Sequence, residues 1–128
     1  MDVIEANKAI VRRFLQAIAS GNVDVIEALQ APECSWWVIG RGDISRETYT
    51  SEVKGMLLSA GRRKVEIIRM VAEEDAVATE IRSEFQFGDR VYKNEYHDVF
   101  VLQDERIVHG REYFDTSKVT AFFGAMEG

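Results

Sequence analysis

A chain of 128 residues, 46% hydrophobic and 30% charged, is the size of one domain with its own apolar core, and this composition excludes an intrinsically disordered polypeptide. A net charge of -6 argues against a nucleic-acid partner, which needs clustered Lys and Arg, and the richest basic cluster is only Arg62-Arg63-Lys64. No apolar run approaches the roughly 20 residues that span a bilayer, and the start MDVIEANK leads into no continuous apolar segment, so no membrane partner and a cytoplasmic location are expected.

Residues 3–19 read as an amphipathic helix, with Ile4, Ile10, Val11, Phe14, Leu15 and Ile18 recurring at three- and four-residue spacing among charged positions. Ser20-Gly21-Asn22 ends it. Asp24 with Glu27 three residues later predicts a capping box for a short second helix running to about Leu29 and closed by Pro32. Cys34 to Gly40 reads as a short edge strand, in which Trp36 and Trp37 point to opposite faces, one toward an interior and one toward an outer or subunit surface. The single cysteine, Cys34, fits a reducing compartment and is expected to be a small buried hydrophobe. Gly40-Arg41-Gly42-Asp43 reads as a loop without a phosphate-binding pattern. Ser45 or Asp43 caps a third helix whose stripe of Tyr49, Val53, Met56 and Leu57 faces inward, with Gly61 at its end.

Strands follow. Lys64 to Val71 alternates imperfectly, Glu73-Glu74-Asp75 turns the chain, and Ala76 to Phe87 places Val77, Thr79, Ile81, Ser83, Phe85 and Phe87 on one face. Gly88-Asp89 leads into the longest hairpin, whose arms Tyr92 to Leu102 and Ile107 to Phe114 are rich in aromatic and β-branched residues. A last short helix capped by Thr116 or Ser117 brings Val119, Phe122 and Phe123 back over the sheet. The expected architecture is α+β: three N-terminal helices packed against a cone-shaped, curved antiparallel sheet, a single domain over residues 1–128.

The hairpin carries the polar chemistry. A cavity under the helices would be walled by Phe14, Trp36, Trp37, Tyr49 and Met56 together with Ile81, Phe114 and Phe122, and polar strand residues entering it are the candidate catalysts. His97 is the expected general base, since an imidazole titrates near neutral pH. Glu112 orients it or acts as an acid, and Tyr96 or Asn94 steadies developing oxygen charge, with Asp98 and Asp115 behind them. The partnership depends on register. A two-residue turn at Asp104-Glu105 sets His97 opposite Glu112, whereas a register one residue away sets His97 opposite Arg111 and Glu112 opposite Tyr96. No metal is expected, because His97 and His109 are the only histidines and form no compact ligand cluster with the lone cysteine. No cofactor motif is present either, and G-x-S-x-G is absent.

The run Tyr92-x-Asn94-x-Tyr96-His97-x-x-Phe100, with Arg106-Ile107 and Arg111-Glu112-Tyr113-Phe114-Asp115 after it, resembles the SnoaL-like branch of the ketosteroid-isomerase-like superfamily, and the order of elements extends the resemblance over nearly the whole chain. The resemblance implies the cone-shaped α+β scaffold, a hydrophobic small-molecule partner and a homodimer formed through the outer sheet face. It also implies cofactor-independent isomerisation, cyclisation or dehydration. The competing implications are a non-catalytic ligand-binding or dimeric interaction protein, and an epoxide hydrolase with a divergent site. In the epoxide-hydrolase relatives an RDYFD-like strand carries a catalytic aspartate where this chain has Glu112. Their Arg-x-Asp falls at Thr79-x-Ile81 and their water-binding Tyr-x-Asn at Trp36-x-Val38 or Trp37-x-Ile39, so both sets are replaced. The histidine and acidic pocket of SnoaL-type polyketide cyclases fall near His97 and Glu112.

Overall fold

The computed structural model describes residues 2–124. Helix α1, Val3–Ser20, starts where the Asp2 carboxylate accepts from the Glu5 amide at 2.8 Å and ends at Gly21, whose φ of 76° suits a residue without a Cβ. Helix α2, Val23–Ala28, is capped by Asn22, which accepts from the Val25 amide, and not by the expected Asp24, which lies inside the first turn. The chain then enters strand β1, Gln30–Val38, so Pro32 sits within a strand instead of closing the helix. It falls where the ladder is interrupted, between the pairs Gln30 with Ile107 and Ser35 with His109, where a missing N–H is tolerated.

Arg41 lies in the turn that follows, flanked by Gly40 and Gly42 with φ of 82° and 88°. Strand β2, Gly42–Ser45, then pairs antiparallel with β1. Ser45 caps helix α3, Arg46–Ser59, by accepting from the Thr48 amide at 3.0 Å. Strands β3, Arg63–Glu73, β4, Ala76–Phe87, β5, Arg90–Gln103, and β6, Arg106–Phe114, follow as an antiparallel meander. Helix α4, Thr116–Phe123, is capped by Asp115 instead of Thr116 or Ser117, its carboxylate accepting from the Ser117 amide at 3.0 Å. The six strands form one curved sheet in the order β2-β1-β6-β5-β4-β3. The tryptophan strand is therefore not the edge: β1 runs parallel to β6, and β2 covers its other side. No helix among the described residues is long and apolar enough to cross a membrane.

Helices α1 and α3 lie over the concave face, α1 against β3 and β4 and α3 against β1. Between them is an aromatic stack in which Trp36, fully buried, lies 3.8 Å from the Tyr49 ring at an interplanar angle of 8°. Phe14 stacks beyond Trp36 and Phe100 meets it edge-on. The indole N–H donates to Gln30 Oε1 at 2.9 Å, and the Gln30 amide nitrogen donates to Ile26 O and Thr50 Oγ1, so every buried polar atom of this group is used. Gly110 lies against the indole so closely that a Cβ there would stand 2.1 Å from a ring carbon.

Neither α1 nor α3 has a basic residue in its last turn. Arg63, at the start of β3, supplies the cation to both. Its guanidinium donates to Ala19 O and Ser20 O at the end of α1 and to Leu57 O, Ala60 O and Gly61 O at the end of α3. Arg63→Ala is expected to lower unfolding stability by about 2–3 kcal/mol in urea titrations, the cost of stranding carbonyls that had a charged donor, and Arg63→Lys to recover less than half, because an ammonium cannot fork between two helix ends.

Candidate active site

A cavity of about 270 Å³ opens between the concave face of the sheet and helices α1, α3 and α4. One side is apolar, formed by Leu15, Ile18, Val53, Met56, Val65, Phe85, Val119 and Phe123. At the other side Asp98 and Glu112 face inward together, with Tyr49, Tyr96, Arg41 and Glu52 around them.

A β-bulge creates that pairing. The β5–β6 turn has two residues, Asp104 and Glu105, both in the left-handed region at φ 52° and 63°, and Gln103 pairs with Arg106 as expected. The ladder then slips, for Leu102 pairs with Ile107 but Val101 pairs with His109, leaving Val108 without an opposite residue. Beyond the slip the inward positions of β6 change from odd to even. Asp98 meets Glu112, Phe100 meets Gly110, and His97 meets Tyr113, so neither register considered for the hairpin is adopted. His97 is exposed on the convex face and takes no part in the cavity. The expected His97–Glu112 pair is overturned, because adjacent strand residues point to opposite faces and Asp98, not His97, shares the face of Glu112.

Burial dominates the electrostatics. Glu112 keeps some open surface, but it lines the cavity, and its carboxyl is pushed up to about 7 by burial; the Tyr49 hydroxyl and Arg41 hold it down while Glu52 raises it. Asp98 is raised well above the ordinary carboxylate range by burial first and by the Glu112 charge second, against the Tyr113 amide. Among the described residues its Oδ1 has no hydrogen-bond partner, nor does the hydroxyl of Thr79, which stands opposite it on β4. Burial and each other's charge both disfavour ionising the two carboxyls together.

The surrounding groups position this pair. Tyr49, clamped by Trp36, puts its hydroxyl 3.5 Å from Glu112 Oε1, a long contact, and burial together with the Glu112 charge keeps that phenol protonated. Arg41 forks onto Glu52, its Nη2 donating to Oε2 at 2.9 Å and its Nη1 to Oε1, which spends the guanidinium on a carboxylate of the α3 wall. Tyr96 and Tyr92 join hydroxyls at 3.0 Å, and Asn94 donates to the Tyr92 oxygen at 2.7 Å. Two phenolic protons serve one O–O bond there, so one is not consumed by it.

The expected site residues divide accordingly. Glu112, Tyr96, Tyr49, Met56, Ile81 and Phe114 line the cavity. Asn94 is buried behind it: its amide also donates to Asp115 O, and its oxygen accepts from the amides of Glu95 and Asp115, so it ties β5 to the start of α4. Phe14 and Trp36 belong to the solid aromatic core instead of the wall, with no exposed surface. Trp37 lies on the convex face under Arg111, whose guanidinium carbon is 4.1 Å from the ring centroid. Phe122 packs on Tyr92 and Phe87 outside the lining, and its neighbour Phe123 takes its place. Thr79-x-Ile81 carries no acid, and the acid that faces Glu112 is Asp98 of β5, two residues after Tyr96. The signal for it was the pairing of Ile107 and Phe114 as two inward residues of opposite parity, with Gly110 between them; both cannot face the core unless the strand bulges.

Cys34 is buried and its thiol is pushed up to about 12, so it is an inert hydrophobe, as expected. Among the described residues no group of three or more His, Cys, Asp or Glu side chains converges as a metal site would.

Ionising a carboxyl that burial has raised is harder in the folded than in the unfolded chain. The stability gained from a neutral Glu112 is complete below its unfolded pKa, near 4.5, and is lost as pH rises through about 7. Glu112→Gln is therefore expected to match the parent in urea unfolding at pH 4.5 and to exceed it at pH 8 by on the order of 2–3 kcal/mol. Equal midpoints for the two proteins at both pH values would show that Glu112 titrates normally.

The profile of the SnoaL-like domain matches residues 11–110. No curated protein sequence matches the chain. Among solved structures, a limonene-epoxide-hydrolase-like (LEH-like) epoxide hydrolase from M. tuberculosis superposes with a TM-score of 0.82 at 23% identity, covering 94% of this chain and 90% of its own. Bal32a, from a soil-derived mobile gene cassette, gives 0.82 at 25% identity over 94% and 98%. BvnE pinacolase from Penicillium brevicompactum gives 0.83 at 15% identity over 93% and 92%. The profile match over most of the chain, together with the curved sheet closed by helices, means that this protein belongs to the SnoaL-like domain family.

Proposed function

We propose that this protein is an acid/base enzyme that converts a small, neutral, largely apolar metabolite without a cofactor. The observation that carries the reading is the Asp98–Glu112 pair, two buried carboxyls side by side in a cavity whose other wall is apolar. Holding one proton between them, the pair contains an acid and a base at once. The neutral member gives its proton to a substrate oxygen, and the ionised member takes one from a carbon or from water. The Tyr49 hydroxyl, beside Glu112, faces the oxygen that gains charge. Isomerisation, cyclisation and dehydration all consist of such paired transfers.

An anionic substrate fits poorly, because Arg41, the one cation of the lining among the described residues, already bonds Glu52. A second reading, water opening an epoxide ring, is favoured by Tyr96-x-Asp98 facing Glu112, which restores both acids of the Asp-Arg-Asp arrangement. The named activities of the superposed epoxide hydrolase and pinacolase are compatible with either reading.

The convex face is proposed to receive a second copy of the chain. Trp37 and Tyr113 stand 5.2 Å apart there with Arg111 against both rings, and Ile68 and His97 line a groove beside them. Half-exposed aromatics with arginine suit an interface. His97 belongs to this face in the proposal, and not to the chemistry.

Turnover should be measured on cyclic enones, β-hydroxy ketones and monoterpene epoxides, in D2O and in H2¹⁸O. Asp98→Asn and Glu112→Gln are each expected to lower kcat/KM by roughly 100-fold or more, the ordinary contribution of a positioned proton transfer, while His97→Ala changes it less than about threefold. Deuterium on a product carbon supports the first reading and ¹⁸O in a diol the second; acid variants as active as the parent would falsify both. In sedimentation velocity the parent is expected to run as a dimer and Trp37→Glu as a monomer, and a monomeric parent removes the interface.

A further inference from the structure

The cavity has a second polar position that the acid pair does not use. Ser83 lines it from the inner face of β4, is 3% exposed, and its Oγ has no hydrogen-bond partner among the described residues. Its cross-strand neighbour Asn94 cannot supply one. Both donor and acceptor sides of that amide are taken by the Tyr92 hydroxyl, Asp115 O and the amides of Glu95 and Asp115. Tyr92 and Tyr96, the inward residues on either side of Asn94, line the same stretch and have one phenolic proton to spare. An unpartnered hydroxyl and a spare donor therefore lie side by side in an otherwise apolar part of the cavity.

We infer that Ser83, with the Tyr92–Tyr96 couple, is a distal subsite for a second oxygen of the substrate, so that the substrate is an elongated neutral molecule with an apolar middle and a hydroxyl or carbonyl at each end. This rests on the acid-pair reading, which places the reacting oxygen at the other end. Asn94, opposite Ser83, and Asp98, opposite Glu112, are separated by four positions on β5, about 13 Å of strand. Between the two ends lie Ile81 and Phe114, which carry no polar side-chain group, and Tyr96, which pairs with both and whose hydroxyl bonds that of Tyr92 on the Ser83 side. A hydroxyl both donates and accepts, so Ser83 receives either an alcohol or a ketone, whereas a hydrocarbon end leaves it unbonded.

The probes are the α,ω-alkanediols from hexanediol to decanediol and the 1-alkanols of the same lengths, titrated calorimetrically into the parent, Ser83→Ala and Glu112→Gln. At the length that spans the two ends the diol is expected to bind the parent at least tenfold tighter than its alkanol. In Ser83→Ala that advantage disappears while alkanol affinity is unchanged, and the variant melts no lower than the parent because its lost hydroxyl had no partner. In Glu112→Gln the diol advantage persists. Diols and alkanols binding the parent alike, or a diol advantage that survives Ser83→Ala, overturns the subsite and leaves the acid-pair reading standing. Failure of the whole series to bind overturns both.

Discussion

One extra residue in a strand sets the character of this cavity. Val108 has no opposite number in the β5–β6 ladder, and because side chains alternate, that single slip rotates the rest of β6 by one face. Without it Arg111 and Tyr113 would enter the interior and Glu112 would stand in solvent. With it, Gly110, Glu112 and Phe114 turn inward, each with a distinct task. Gly110 leaves room for the indole of Trp36, Glu112 meets Asp98, and Phe114 lines the wall. The slip also sorts the convex face, giving it Arg111 and Tyr113 over Trp37.

The positions around the acids follow from the same residue. Trp36 can settle against the sheet only because Gly110 has no Cβ, and Tyr49 can stack on Trp36 only when the indole lies flat. The Tyr49 hydroxyl then reaches Glu112, two residues beyond the glycine. Packing and electrostatics are thus one construction: the aromatic layer that fills the core also aims a phenol at a carboxylate whose proton affinity is set by burial. Such a site opposes stability as pH rises, a common cost where an acid is held ready at neutral pH.

Much of the architecture was legible in the sequence because it rests on periodicity. Apolar residues at three- and four-residue spacing marked α1 and α3, and the alternation from Val77 to Phe87 named the inner face of β4 correctly. What escaped was short or non-periodic. Strand β2 has four residues, of which Gly42 and Asp43 read as loop and Ser45 as a helix cap; its pairing with β1 is a tertiary choice. Caps slipped by one or two residues wherever several polar side chains were eligible, as at Asn22 and Asp115. The acid at 112 was legible and its partner was not. A histidine is the natural first choice of base, and only the opposite parity of Ile107 and Phe114 announces that the ladder slips between it and its presumed mate. Chemistry on strands is read through parity, and parity is a property of two strands, not one.

The parallel pairing of β1 with β6 has a kinetic side. It joins Trp36 to Gly110 and Val38 to Glu112, each pair 74 positions apart in the chain, whereas the meander from β3 to β6 closes through short turns. Contacts so distant along the chain carry the largest loop-closure entropy and form late. Tyr49 and Glu112 come together only across that junction. Most of the sheet is therefore built from local pairings, and Asp98 and Glu112 have their full surroundings only once β1 lies along β6.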